Sequence, residues 1–320
     1  MAETVNSRLS SYDVAFVGIF AALSVIIIKT LPGIPIAGVP GANIKFDAAI
    51  APIYGLIIGP YLGFLAALIG GLVTAGSMFD ILTSFSPAIS ALVAGFLTQR
   101  YLGVQEGRIK GWMVSATVLG VLILGWYLTP IGREAPFYPM FHLAGFGLIL
   151  VTRGWIANVF KDRKVETKRW HVKPNYLLAG ILTIVTAYML SKLISSDFWV
   201  FSYLSLPLFL IGGIVIVYSV LGIGKVSLVL AIILASFCGI VADHMLGNLA
   251  FIGSLDVLIS ISWLETNVLI PLGLPNVSSF FMFVLPVSIA ERISLTSIAT
   301  ILGVGLILAL KRANLLTRKL

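Results

Sequence analysis

The chain has 320 residues, of which 59% are hydrophobic and 11% are charged, and its formal net charge is +8. Soluble domains carry about a quarter of their residues as Asp, Glu, Lys or Arg, so this composition excludes a soluble enzyme and a disordered chain. The single cysteine, Cys238, excludes an internal disulfide and a CxxC metal site.

Apolar segments long enough to span a membrane recur along the whole chain. A spanning helix needs about 20 apolar residues, and this criterion predicts an all-α polytopic membrane protein with ten spans. The predicted spans are residues 12–30, 45–59, 61–77, 86–102, 111–129, 137–160, 175–195, 198–221, 226–252 and 280–312.

Small residues occupy one face of the first span. Ala15, Gly18 and Ala22 lie at positions i, i+3 and i+7, so they share one side of the helix. Small residues let two membrane helices approach closely. This face is therefore a candidate either for packing inside the bundle or for docking a partner, and the spacing leaves both open.

Proline and glycine interrupt the segment between the first two spans, residues 31–46, and this composition favours turns over regular structure. This segment ends in three polar residues, Asn43, Lys45 and Asp47, around the start of the second span. A carboxylate at a helix N-terminus interacts favourably with the helix macrodipole. Asp47 therefore serves either this local role or, together with its two neighbours, contact with a solute.

The middle of the chain differs from both ends. Residues 104–225 contain four plain apolar helices bounded by basic loops, and they are predicted to be an insertion between core helices 1–4 (residues 1–103) and core helices 5 and 6 (residues 226–320). A cytoplasmic N-terminus puts most of the 21 Lys and Arg residues in cytoplasmic loops. Both termini are therefore predicted to be cytoplasmic in the cell membrane. The basic residues 161–173 are expected to face anionic lipid and not nucleic acid.

The ninth span carries ionisable and amide groups at membrane depth, where a charge costs about 3 kcal/mol on insertion scales and marks a candidate functional site. Asp243 lies roughly 27 Å along the helix from Lys225 at a rise of about 1.5 Å per residue. His244 and Asn248 share a face at i and i+4. These groups form either an internal polar clamp between helices or part of a solute site that opens outward.

The tenth span carries Glu291 and Arg292 at a comparable depth, roughly 30 Å from Lys311 at the same rise per residue. A plain ion pair between the two side chains would contribute to stability alone. Charged groups at matching depth on the last two helices also favour a shared pocket, so both interpretations stay open.

Three stretches resemble the substrate-binding S components of energy-coupling-factor (ECF) transporters. Residues 40–71 (PGANIKFDAAIAPIYGLIIGPYLGFLAALIGG) resemble the second and third helices of this family, residues 242–248 (ADHMLGN) its fifth helix and residues 290–304 (AERISLTSIATILGV) its sixth. The resemblance implies a six-helix core that binds a small water-soluble vitamin beneath the first outer loop. It also implies a transmembrane coupling subunit, docked by Ala15, Gly18 and Ala22, and two ATPase subunits.

These observations together predict a membrane solute-binding subunit for uptake, with no cofactor and no metal. The predicted solute contacts are Asn43, Lys45, Asp47, Asp243, His244, Asn248, Glu291 and Arg292, whose mixed charge suits a zwitterionic or polar ligand. Neither a P-loop motif nor HExxH is present, and the chain is predicted not to be an enzyme.

Three alternatives remain at the level of the sequence. One is a stand-alone secondary carrier that moves protons through Asp243 or Glu291. Another is a membrane-embedded enzyme that uses Cys238 or His244. The last is a helix bundle whose polar groups only pair with one another.

Overall fold

The computed structural model describes residues 10–31, 34–35, 43–44, 46–102, 109–161, 173–193, 205, 208, 211–216, 219, 226–313 and 315. These residues are almost entirely helical. The helices are α1 (Ser11–Thr30), α2 (Asp47–Ile58), α3 (Pro60–Thr74), α4 (Met78–Thr83), α5 (Phe85–Thr98), α6 (Gly111–Leu128), α7 (Pro130–Glu134), α8 (Met140–Thr152), α9 (Trp155–Lys161), α10 (Pro174–Leu193), α11 (Val226–Ser254), α12 (Ile261–Leu264) and α13 (Val277–Arg312). A π-helical turn at Glu265–Leu269 follows α12.

Five helical segments within the described part of the chain are long and apolar enough to cross a membrane, and six if a bent pair counts as one span. The bent pair is α8 and α9, which meet at an angle of 64°, and Arg153 between them has a positive φ of 43°. This confirms the predicted all-α polytopic membrane fold. The number of ten spans stays a prediction, and most of the span predicted at 198–221 lies outside the described residues.

The second and third predicted spans form a tight helical hairpin of two short helices. Helix α2 has 12 residues and α3 has 15, fewer than the roughly 20 that a lone crossing needs. Gly59 between them has a φ of +87°, which costs a glycine little, and Pro60 occupies the first turn of α3, where proline is tolerated. The hairpin packs against α5.

A short strand pair lies in the segment where only turns were expected. Strands β1 (Ile34–Pro35) and β2 (Asn43–Ile44) are antiparallel, with Ile34 opposite Ile44. The expectation of no regular structure was therefore wrong for these four residues. The physical reason is that β-branched isoleucine favours extended backbone, while Gly38, Pro40 and Gly41 fall between the two strands in the sequence.

The apolar core joins the predicted insertion to the rest of the bundle. Side chains of α6 and α8, among them Leu119, Trp126 and Ile149, are buried in one cluster with Met245 of α11 and Ile307 of α13. Helices α5 and α11 pack against each other. The division of the chain at residues 103 and 225 stays a prediction.

Candidate functional site

A cavity of about 290 Å³ lies where seven helices converge. Its wall is formed by the end of α1, the starts of α2 and α5, the end of α3, helix α4, and the middle of α11 and α13. Segments far apart in the chain therefore contribute to a single site.

Six of the eight predicted contact residues line this cavity. They are Asp47, Asp243, His244, Asn248, Glu291 and Arg292. Depth explains why α11 and α13 contribute together. At about 1.5 Å per residue, the distance from Lys225 to Asp243 and the distance from Lys311 to Glu291 differ by only about 3 Å. Of the other two, Asn43 lies in β2, and Lys45 lies outside the described residues.

Asp243 is the most deeply buried carboxyl group of the cavity. The residue is 7% exposed, and its Oδ2 atom has no hydrogen-bond partner within the part of the chain that the structure describes. Five residues further along α11, Nδ2 of Asn248 is likewise buried without a described partner. Buried polar groups are normally hydrogen-bonded, so these two atoms are available to a bound molecule. A closed internal clamp would have paired them.

Glu291 and Arg292 form the ion pair that the sequence offered as one alternative. Nη2 of Arg292 lies 2.7 Å from Oε2 of Glu291. Both residues also line the cavity, so the pair and the shared pocket coexist. The Nε atom of Arg292 is buried and has no partner among the described residues, which leaves its N–H group able to donate to a bound molecule.

His244 is held by side chains that the sequence did not assign to the site. Its Nδ1 atom lies 3.1 Å from Nε2 of His142, and the two rings are stacked with their centroids 5.1 Å apart. Its Nε2 atom lies 3.2 Å from the hydroxyl oxygen of Tyr138 and 3.3 Å from that of Ser288. His142 is a histidine within a predicted span, and that feature alone could have marked it as a candidate.

Helix α4 contributes a polar wall that the sequence analysis also missed. Asp80, Thr83 and Ser84 line the cavity. The Ser77 hydroxyl group and the Gly76 backbone N–H donate to Oδ2 of Asp80 at 2.9 and 3.2 Å, and the Asp80 backbone N–H donates to the Ser77 hydroxyl oxygen. A serine followed three residues later by an acidic residue is close to the capping-box pattern, and it could have placed a helix start and a carboxylate here.

The chemistry available in the cavity is recognition by hydrogen bonds and charge. Among the described residues, no group of three or more His, Cys, Asp or Glu side chains could hold a metal ion. Cys238 is buried and donates weakly to the Gly145 carbonyl oxygen at 3.6 Å. It does not line the cavity, so it is not placed to act on a molecule bound there.

Comparisons with known proteins find one family and two relatives. The family model of the ECF-type riboflavin transporter S component matches residues 8–149. An uncharacterized protein of Methanocaldococcus jannaschii is 31% identical over 133 residues, which are 39% of this chain and 41% of that protein. A UPF0397 protein of Streptococcus thermophilus is 32% identical over 127 residues, which are 38% of this chain and 68% of that protein.

The matches cover only part of the relatives and only part of this chain. The chain spans less than half the length of the Methanocaldococcus relative. The family match extends beyond residue 103 into the predicted insertion and ends within α8, so it includes Asp47 and Asp80 of the cavity but neither α11 nor α13. No solved structure matches the chain significantly.

Proposed function

Because the chain belongs to the S components of ECF-type transporters, we propose that it binds a small water-soluble vitamin for uptake and that the cavity is the binding site. The observation that carries this proposal is the convergence of polar side chains from α2, α4, α11 and α13 on one cavity. The family consists of transport subunits and not of enzymes, so the alternative of a membrane-embedded enzyme is set aside.

The size and lining of the cavity support a vitamin-sized solute. Pockets for small molecules have volumes of about 300–1,000 Å³, with a few polar groups that orient the ligand. The cavity is at the lower end of this range. The proposed contacts are Asn43, Lys45, Asp47, Asp243, His244, Asn248, Glu291 and Arg292. The segment 31–46 is proposed to cover the solute from the outside, with both chain termini in the cytoplasm.

The exposed face of α1 supports docking of a separate coupling subunit with two ATPases. Ala15, Gly18 and Ala22 are all exposed, and a Cβ atom added at Gly18 would meet nothing within 4 Å. An exposed face is not used for packing within the described bundle, which favours the docking alternative over internal packing. Small residues on such a face permit close approach of a partner helix.

Mass spectrometry of the gently solubilised chain tests this function. We expect a vitamin, a coupling subunit and two ATPase subunits to co-purify. Riboflavin, the solute in the name of the matched family, is the first to look for. A vitamin without partner proteins, together with uptake that continues without ATP hydrolysis, would favour the stand-alone carrier. A stable chain with neither ligand nor partners would contradict the proposal.

A further inference from the structure

We propose that Ser86, Gly247 and Asn248 form a recess in the cavity wall that binds an oxygen atom of the solute. This inference rests on the proposed function. It adds one hydrogen-bonding group of the solute and two residues that the sequence did not assign to the site, Ser86 and Gly247. All three residues line the cavity. None of them is charged, so binding in this recess does not depend on the balance of charge in the cavity.

The hydroxyl group of Ser86 is buried without the partner that other serines of this chain have. A serine side chain in a helix can donate to the carbonyl oxygen four residues earlier, and Ser254 and Ser294 do so at 2.7 and 2.8 Å. Ser86 is 5% exposed, and its Oγ atom has no hydrogen-bond partner among the residues that the structure describes. Buried polar groups are normally hydrogen-bonded, so this hydroxyl group is available to a molecule in the cavity.

The missing side chain of Gly247 leaves room beside this hydroxyl group. A Cβ atom added at Gly247 would lie 3.6 Å from Oγ of Ser86, which is an ordinary van der Waals contact. An alanine would therefore fit here without a clash and would place a methyl group next to the hydroxyl group. The glycine keeps that space open where α5 and α11 pack against each other.

Asn248 supplies a second donor at the same place. It follows Gly247 in α11, and its Nδ2 atom is buried without a partner in the described part of the chain. The amide NH2 group donates, and a serine hydroxyl group can donate as well. One carbonyl or hydroxyl oxygen of the solute can accept from both groups, because such an oxygen has two lone pairs. The recess therefore fits a solute that turns an acceptor oxygen toward the contact of α5 with α11.

Isothermal titration calorimetry of the purified full chain tests this inference. The probes are riboflavin, biotin and pantothenate, which all carry carbonyl oxygens, and the variants are titrated with the probe that binds the unmodified chain most tightly. Ser86→Ala removes the hydroxyl group, so affinity for this probe should fall roughly 2- to 12-fold, the equivalent of one hydrogen bond. The melting temperature should not fall, because the hydroxyl group has no partner among the described residues.

Ser90→Ala is the matched control for this variant. Ser90 lies four residues further along α5, and its Oγ atom is also buried without a described partner. It does not line the cavity, so the affinity for the same probe should not change. Equal affinities in the Ser86 variant, the Ser90 variant and the unmodified chain would overturn the proposal, and so would equal losses in the two variants.

Gly247→Ala tests the recess from the other helix. It fills the space beside Ser86 and removes no hydrogen bond, and alanine is the better helix former. Affinity should therefore fall severalfold while the melting temperature is unchanged or raised. Gly253→Ala is the control, because Gly253 is an exposed residue of α11 that does not line the cavity, and nothing lies within 4 Å of a Cβ atom added there. Unchanged affinity in the Gly247 variant would show that no solute atom occupies the recess.

Asn248→Asp tests the direction of the hydrogen bond. This change keeps the shape of the side chain and replaces the donating NH2 group by an oxygen that accepts. A solute oxygen would then face another acceptor, so the loss of affinity should exceed that of Ser86→Ala. Unchanged or higher affinity would show that the solute donates at this place, which would overturn the proposal.

These outcomes separate the inference from the proposed function. A probe that binds the unmodified chain and the Ser86, Gly247 and Asn248 variants equally well overturns the recess and leaves the proposed function intact. If none of the three probes binds the unmodified chain, the inference falls, whereas the proposed function falls only if no vitamin co-purifies with the chain.

Discussion

The orientation of His244 depends on hydroxyl and imidazole groups from other segments. The hydroxyl group of Tyr138 lies 3.2 Å from Nε2 of His244, and its ring stacks on Trp126 with centroids 4.8 Å apart. Tyr138→Phe keeps the stacking and removes the hydroxyl group. One hydrogen bond contributes about 0.5–1.5 kcal/mol, so calorimetry should show a loss of affinity of roughly 2- to 12-fold for the co-purified vitamin.

Tyr127→Phe is the control for this change. The Tyr127 hydroxyl group donates to the Pro136 carbonyl oxygen at 3.0 Å, and the residue does not line the cavity. The control therefore removes the same atom and one hydrogen bond without touching the site. If both variants bind the vitamin as the unmodified chain does, Tyr138 does not position His244 for binding.

Residues on the long helices could be predicted for the site, whereas the contacts made by the residues that support them could not. The depth of Asp243 and Glu291 follows from a constant rise per residue and a basic residue at the membrane surface. Asp80 lines the cavity, and Tyr138 and His142 contact the cavity residue His244. These contacts depend on which helices are neighbours, and a single sequence does not contain that information. Hydropathy therefore indicated the depth of the site in the membrane but not all of the residues that line it.

At the scale of helices, the contact of α2 with α5 depends on glycine. A Cβ atom added at Gly55 would clash with the Ala91 carbonyl oxygen and would lie 2.8 Å from the Gly95 backbone nitrogen. Both are backbone atoms, so no side chain can rotate away. Gly55→Ala should lower the free energy of unfolding by about 1–3 kcal/mol, measured as a lower melting temperature of the purified chain in detergent.

Gly147→Ala gives the matched control within a helix. Nothing lies within 4 Å of a Cβ atom added at Gly147, and alanine is the better helix former by about 1 kcal/mol. The melting temperature of this variant should be unchanged or raised. Similar losses in both variants would show that glycine flexibility, and not the close approach of α2 and α5, determines stability.

For the whole molecule, sequence composition predicted the class of protein better than it predicted how the helices pack. Mean hydropathy of +1.06 and the long apolar runs predict the polytopic membrane fold, because a bilayer requires helices of that length and composition. The same composition predicts residues 104–225 to be an insertion, and this division stays a prediction. In the structure α6 and α8 share one apolar cluster with α11, and His142 of α8 contacts the cavity residue His244.

The proposed coupling to an energising partner concerns the whole molecule, and a single substitution is expected to separate it from solute binding. Gly18 lies on the exposed face of α1 and does not line the cavity. Gly18→Leu should therefore leave vitamin affinity unchanged. A larger side chain within a close helix contact costs about 1–3 kcal/mol, so the amount of co-purifying coupling subunit and ATPases should fall roughly tenfold, and uptake into cells with it.

Gly305→Leu makes the same change on an exposed face of another helix. Gly305 lies in α13, and nothing is within 4 Å of a Cβ atom added there, so partner binding and uptake should persist in this control. An equal loss of partner binding in both variants would indicate a general effect of a large side chain on an exposed helix face. If neither variant loses partner binding, the docking surface is not at Ala15, Gly18 and Ala22. The proposal for the cavity would still stand, because solute affinity is measured on the isolated chain.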